Sequence, residues 1–197
     1  MKKIFTISLL IVGLVFLIIV VTNYNKFPNL DENVNEKLSQ VQNQYKRRAD
    51  LIPNLVETVK AYAVHEESTF IEVTEARNKV SQINLDEKTL TNPEFLQQFD
   101  AAQANLSSAL SKLMVVVEKY PDLKANENFL SLQSQLEGSE NRIAVARRDL
   151  IEAIKQYNIA LRTIPSKFVA MIFYPEMEVK ENFKATEAEQ TVPKVKF

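Results

Sequence analysis

The chain has 197 residues, a net charge of −1, no cysteine and only two glycines, Gly13 and Gly138. That length allows one ordinary domain plus an appendage, and the balanced charge gives no overall electrostatic case for nucleic acid. Without cysteine there is no disulfide, thiolate metal site, cysteine nucleophile or lipid-modified cysteine, and two isolated glycines cannot make a phosphate-cradling loop.

The first element is an apolar run from Ile4 to Val21, relieved only by Thr6, Ser8 and Gly13. At about 1.5 Å per residue it spans roughly 27 Å, close to the ~30 Å hydrocarbon core of a bilayer. A cleaved signal peptide has a shorter apolar region and a small-residue cleavage site. Here the exit reads Val20-Val21-Thr22-Asn23-Tyr24, so the run is expected to be a retained anchor in contact with lipid. Lys2 and Lys3 precede it and Lys26 follows it. The positive-inside rule then puts the soluble part on the outer, periplasmic or extracellular, face.

The next segment, from about Leu30 to Ile83, carries a seven-residue apolar pattern. One set is Val34, Val41, Leu55, Tyr62, Ala76 and Ile83; the other is Leu38, Tyr45, Ile52, Val59, Val73 and Val80. Arg48, Glu66 and Thr69 interrupt it. This is the stripe of a helix packed on other helices. Pro53 removes a backbone hydrogen bond to the Ala49 carbonyl, yet the stripe keeps phase across it. A kink in one long helix, or two helices abutting there, is expected.

Residues 84–92 are polar and read as a loop. Asn92-Pro93-Glu94 then makes a helix start: an N-cap, a proline in the first turn and an acidic residue. Phe95, Phe99, Ala102, Leu106, Ala109, Leu113 and Val116 follow at helical spacing, and Tyr120-Pro121 ends the helix. A third helix runs from near Asn126 to about Thr163. Phe129, Leu136, Ile143, Leu150, Tyr157 and Ile164 form one seam; Leu132, Ser139, Ala146, Ala153 and Ala160 form the other. Pro165 closes it, and Ser166 to Phe173 predicts a short fourth helix. Thr191 to Phe197 reads as extended.

The fold class is therefore all-α: an N-terminal transmembrane helix, then an elongated antiparallel bundle of three long helices plus a short fourth. The expected divisions are an anchor over 1–25, a helical bundle over 26–180 and an extended tail over 181–197.

Arg48 falls at a core-facing position, where a lone charge is costly. It calls for a carboxylate, with Asp50, Glu57, Glu140 and Asp149 as candidates. Arg147-Arg148-Asp149 echoes Arg47-Arg48-Ala49-Asp50, so two charged clusters could meet across the bundle or form a surface for anionic lipid or protein. His65 is the single histidine, and position 69, where a metalloprotease motif needs the second, is Thr69. No nucleophile stands in a recognisable turn, His65 reads as a polar helix residue, and Glu66-Glu67 and Glu187-Glu189 read as solvated surface. No catalytic residue, metal ligand or cofactor site is assigned. The candidate interaction surface is Arg47, Arg48, Asp50, Pro53, Asn54, Glu57, His65 and Glu66.

The string KRRADLIPNLVETVKAYAVHE, ending at Glu66, closely resembles the signature region of the LemA family. So do Tyr24-Asn25 after the anchor, Glu75-Ala76-Arg77, Tyr157-Asn158 before Ile164-Pro165, and the terminal Pro193-Lys194-Val195-Lys196-Phe197. The chain departs from the family in lacking a tryptophan before the double arginine. It also has Ile172-Phe173 where a glycine-phenylalanine pair is common. The resemblance implies a membrane-anchored helical bundle with no established catalytic residues, with relatives linked to building intracellular membrane organelles in bacteria. Family descriptions place the short N-terminus outside, opposite to the charge-based orientation.

The expected function is that of a non-enzymatic, single-pass scaffold or assembly protein of the cell membrane. Its expected partners are itself, as a homo-oligomer, or other membrane proteins, with no nucleic acid and no small-molecule substrate. The alternative is an adaptor or regulatory subunit of a membrane protease or other membrane enzyme.

Overall fold

A computed structural model of the chain describes residues 2–183. Among these residues there are helices and no strand. The Thr191 to Phe197 tail lies outside the described residues.

Helix α1, Lys2–Tyr24, carries the apolar run. An 18-residue window within it has a mean hydropathy of 2.6 and none of it is buried. Single-residue Asn25 separates it from α2, Lys26–Lys60, so the bundle's first helix continues almost directly from the apolar one.

Helix α2 passes through Pro53 without a break. Proline donates no N–H, so the Ala49 carbonyl loses its helical partner. Arg77 of the next helix donates its Nε–H to that carbonyl at 3.3 Å. Ala49 is buried, and a buried carbonyl without a partner is costly. Pro53 therefore frees an acceptor inside the bundle, and a neighbouring helix uses it.

The segment expected to run as one helix to Ile83 divides at residues 61–66. Helix α3, Glu67–Gln82, doubles back from there. The turn holds neither proline nor glycine, so local propensity does not announce it. Tertiary burial decides it: doubling back buries Phe70, Val73, Ala76 and Val80, and α3 packs against the next long helix. The stripe's failures at Glu66 and Thr69 mark the break. Tyr62, expected in the core, is exposed in the turn, where its hydroxyl accepts from Asn126 Nδ2 at 3.0 Å. His65 also lies in this turn and is exposed, a correction to its reading as a helical residue.

The stretch expected as a loop contains a 3-10 helix, Glu87–Thr91, closed by a capping box. Asp86 Oδ1 accepts from the Thr89 N–H at 2.9 Å, and Thr89 Oγ1 accepts from the Asp86 N–H at 3.2 Å. These reciprocal bonds satisfy donors that a short helix leaves open. Helix α4, Pro93–Val117, starts as its sequence predicts: Asn92 Oδ1 accepts from the N–H groups of Glu94 and Phe95 at 3.0 and 3.1 Å. One further turn, α5, Pro121–Lys124, leads to α6, Glu127–Arg162, capped by Asn126. Helix α7, Ser166–Phe173, follows.

The longest interface joins α2 and α6. They run antiparallel: Tyr45 lies beside Arg147, and Tyr62 beside Asn126. Helices α3 and α4 form the second antiparallel pair, with Glu72 against Lys112 and Glu66 against Lys119. The core falls into two large clusters. One gathers Ile52, Leu55 and Val59 with α3, the second half of α4, Phe129 and Leu136. The other gathers Val34, Leu38, Val41 and Tyr45 with Phe99, Ile143, Leu150, Tyr157 and Phe183. The predicted seam residue Ile164 is exposed instead, because it lies past the end of α6 and has no neighbouring helix to face.

Gly138 sits inside α6 with ordinary helical dihedrals. A Cβ there would meet only the Arg142 guanidinium, at 3.3 Å from Nη1, the far end of a flexible side chain. Gly138→Ala is therefore expected to stabilise the fold by about 0.5–1 kcal/mol, through the entropy glycine loses in a helix. Thermal unfolding followed by circular dichroism checks this; a lowered midpoint would contradict it.

Candidate interaction site: a surface stripe, a polar belt and a buried strap

Arg47, Asp50, Asn54 and Glu57 follow a 3-4-3 spacing along α2 and are exposed, with Pro53 beside them. They form one solvent-facing stripe. His65 and Glu66 lie in the turn at its end, where Glu66 pairs with Lys119 at 3.4 Å. Arg48 does not share that surface. It is 2% exposed, because its position belongs to the packing stripe rather than to the flank that carries Arg47 and Asp50.

Arg48 instead lies at the level where the two large core clusters part. Of the four candidate carboxylates the structure selects Glu140, whose Oε1 lies 2.5 Å from Arg48 Nη1. Nη2 donates to Gln103 Oε1, and Nη1 also reaches Ser107 Oγ at 3.5 Å. Three helices, α2, α4 and α6, thus meet on one guanidinium. One turn back along α2, Arg147 of α6 pairs with Asp100 at 3.4 Å and donates to the Tyr45 hydroxyl at 3.4 Å. Arg48 and Arg147 approach the same residue, Tyr45, with the Arg48 guanidinium 5.8 Å from its ring centre, but each takes its carboxylate from outside the two arginine clusters; Arg148 stays at the surface against its neighbour Asp149. Burial raises the Tyr45 pKa above its ordinary value, and the positive charge of Arg147 partly offsets the rise.

Past α7 the chain returns along the bundle as a strap over residues 177–183. Lys180 is 4% exposed. Its Nζ lies 2.8 Å from Asp31 Oδ1 and 2.7 Å from Glu87 Oε1, and 4.8 Å from the centre of the Tyr157 ring. Asn158 clamps the Lys180 backbone from both sides. Its Oδ1 accepts the Lys180 N–H at 3.0 Å, and its Nδ2 donates to the Lys180 carbonyl at 2.7 Å. The Glu181 N–H donates to the Leu90 carbonyl at 2.6 Å. Phe183 enters the core beside Phe99, with the Arg147 guanidinium 4.7 Å from its ring centre. The Lys180 hydrogen bond pulls the Glu87 pKa below its ordinary value.

Sequence reading missed Gln103, Lys180 and Phe183 as structural centres. Gln103 is a polar residue four positions after Phe99 on an apolar stripe, a signal that could have exposed it. A lysine in an aperiodic stretch gives no such signal.

The chemistry of these sites is that of pairing. The described residues contain no group of three or more histidine or acidic side chains placed to hold a metal. A cleft of about 530 Å³ opens beside the belt, between α2, the end of α3 and α4. Gln42, Tyr45, Asp50 and Gln103 supply much of its polar lining, and no histidine borders it.

A profile of the LemA family matches residues 37–197, which include the stripe, the belt and the strap. The chain belongs to the LemA family. Among curated relatives, magnetosome protein MamQ 2 of Paramagnetospirillum magneticum is 26% identical over 173 residues. That alignment covers 80% of this chain and 64% of the relative, so the chain spans rather less than two thirds of the MamQ length. MamQ of Magnetospirillum gryphiswaldense is 25% identical with the same coverage. Protein LemA of Metamycoplasma hominis is 24% identical over 157 residues, covering 79% of this chain and 67% of the relative. None of these names is that of an enzyme. In this LemA-family chain the signature string supplies the stripe, Arg48 and Pro53, while Ala76-Arg77 supplies the partner of the carbonyl that Pro53 frees. The string is thus tied to helix-to-helix pairing in the bundle.

Proposed function

We propose that the protein is a membrane-anchored, non-enzymatic scaffold, with α1 crossing the bilayer and the bundle gathering further copies of itself or membrane partners. The observation that carries this reading is the wholly exposed apolar window of α1 running almost directly into α2. An 18-residue apolar surface of this kind is stable in lipid and costly in water. Relatives named as magnetosome proteins support a role of this class. The exposed stripe of Arg47, Asp50, Asn54 and Glu57 is the surface proposed to meet partners, and the charge bias around α1 supports placing it on the outer face.

Crosslinking in intact cells, followed by native sizing in mild detergent, tests this. A species larger than the monomer, or a co-purifying membrane protein, is expected. A strictly monomeric protein with no crosslinked partner would overturn the proposal.

A further inference from the structure

We infer that α7 is a second membrane contact, its outward face seated in the headgroup–acyl boundary beside the end of the anchor. The inference rests on α1 crossing the bilayer. Helix α7 has two faces. Ser166, Val169 and Ala170 turn inward and are buried. Phe168, Met171 and Ile172 lie on its outward side, Ile164 lies in the turn just before it, and the four are 52–73% exposed. None of those four large apolar side chains is buried by another described residue, and the flanking charges, Arg162 and Lys167, are exposed.

The position of this face identifies its occupant as lipid. Val169 and Ala170 pack in one cluster with Phe27 and Ala160, and Val20 of α1 lies against that cluster. The Phe173 ring meets Tyr24 edge-on at 5.6 Å, and the Tyr174 hydroxyl donates to the Tyr24 carbonyl at 2.9 Å. Helix α7 is therefore fixed at the level of residues 20–27, where the apolar run of α1 ends. With that run spanning roughly 27 Å of the ~30 Å hydrocarbon layer, this level is the membrane interface. Tyrosines at this depth suit the aromatic belt. An amphipathic helix lying there buries its apolar face about 5–10 Å deep, while Lys167 and Arg162 extend toward headgroups. The consequence is mechanical: one anchor leaves the bundle free to tilt, whereas an anchor and α7 together fix its attitude to the bilayer.

The absence of native cysteine makes single labels unambiguous. Full-length Phe168→Cys, Ile172→Cys, Val15→Cys and Val64→Cys proteins would carry an environment-sensitive fluorophore in phosphatidylcholine–phosphatidylglycerol proteoliposomes. Labels at 168 and 172 are expected to be quenched by shallow nitroxide lipids and shielded from aqueous iodide. A label at 64, in the exposed turn between α2 and α3, should show the reverse. Iodide access at 172 equal to that at 64 overturns the inference. If the 15 label is then still quenched by deep nitroxide lipids, the anchor reading survives alone; if it is not, both fall. Shielding at 172 without lipid quenching, but with energy transfer between labelled copies, assigns the face to a second copy and also overturns it.

Discussion

Arg48→Ala is expected to cost about 3 kcal/mol of folding stability, a fall of roughly 6–12 °C in the unfolding midpoint for a chain of this size. The substitution strips Gln103 Oε1 of its donor and leaves a gap where the two core clusters part. Glu140 contributes less to the loss, because its side chain is half exposed and water can replace the guanidinium there. An apolar isostere should behave differently. Arg48→Met fills the space but still orphans Gln103, so it should recover only part of the loss. Pairing it with Gln103→Leu removes both polar groups, and buried ion pairs replaced by well-packed apolar residues are often neutral or stabilising. The double variant is expected to reach or exceed the stability of the natural chain. Chemical denaturation of the two single variants and the double gives the coupling directly. A double variant no more stable than Arg48→Ala would overturn this expectation: with the space refilled and no orphan left, the loss would lie in the interactions of the guanidinium itself, those with Glu140 and Ser107 among them.

Lys180→Met should release the strap. It keeps much of the aliphatic stem over Tyr157 but leaves Asp31 and Glu87 facing one another with no cation. After allowance for the half-exposed Glu87, the expected loss is about 2 kcal/mol, falling mainly on residues 177–183. Limited proteolysis should therefore cut in or just before the strap of the variant and spare the strap of the natural chain. An unchanged digestion pattern would show that the Asn158 clamp and Phe183 hold the strap without the lysine. The same pair predicts an acid dependence. A carboxylate whose folded pKa is lowered contributes stability that is fully present above its unfolded pKa and lost as pH falls through the folded one. Glu87 is lowered chiefly by its hydrogen bond from Lys180. The natural chain should lose this increment below the ordinary glutamate range, and Lys180→Met should lose less over the same interval.

Local rules carried the helix starts. Asn92 with Pro93 is a cap because its side chain reaches backbone N–H groups two or three residues on, a short-range geometry that sequence states directly; Asn126, read only as a helix start, caps α6 in the same way. The phase of the stripes placed Val34, Ile52, Leu106 and Leu150 in the core for a similar reason: one helix face is one face wherever the helix goes. The candidate site was legible only in part. Arg48 was placed on the packing side by phase, but its neighbour set mixed a buried arginine with an exposed stripe. Glu140 could not be chosen over Asp50, Glu57 or Asp149, since helix register is set across the bundle. The hairpin at residues 61–66 left only two mismatched positions as its trace, because helix formers fill the turn.

By itself, then, the sequence determined an all-helical chain with an apolar run long enough to span a bilayer, the caps, the inward faces and membership of the LemA family. Family membership rests on the matched strings and the family profile; the others rest on spacing along the chain. Tertiary structure alone decided that α3 folds back on α4, that Arg77 takes up the carbonyl freed by Pro53, that Arg48 joins Gln103 and Glu140, and that Lys180 pins the strap over Tyr157. Those contacts join residues 28 to 149 positions apart, and only a fixed packing of helices brings such partners within hydrogen-bond reach.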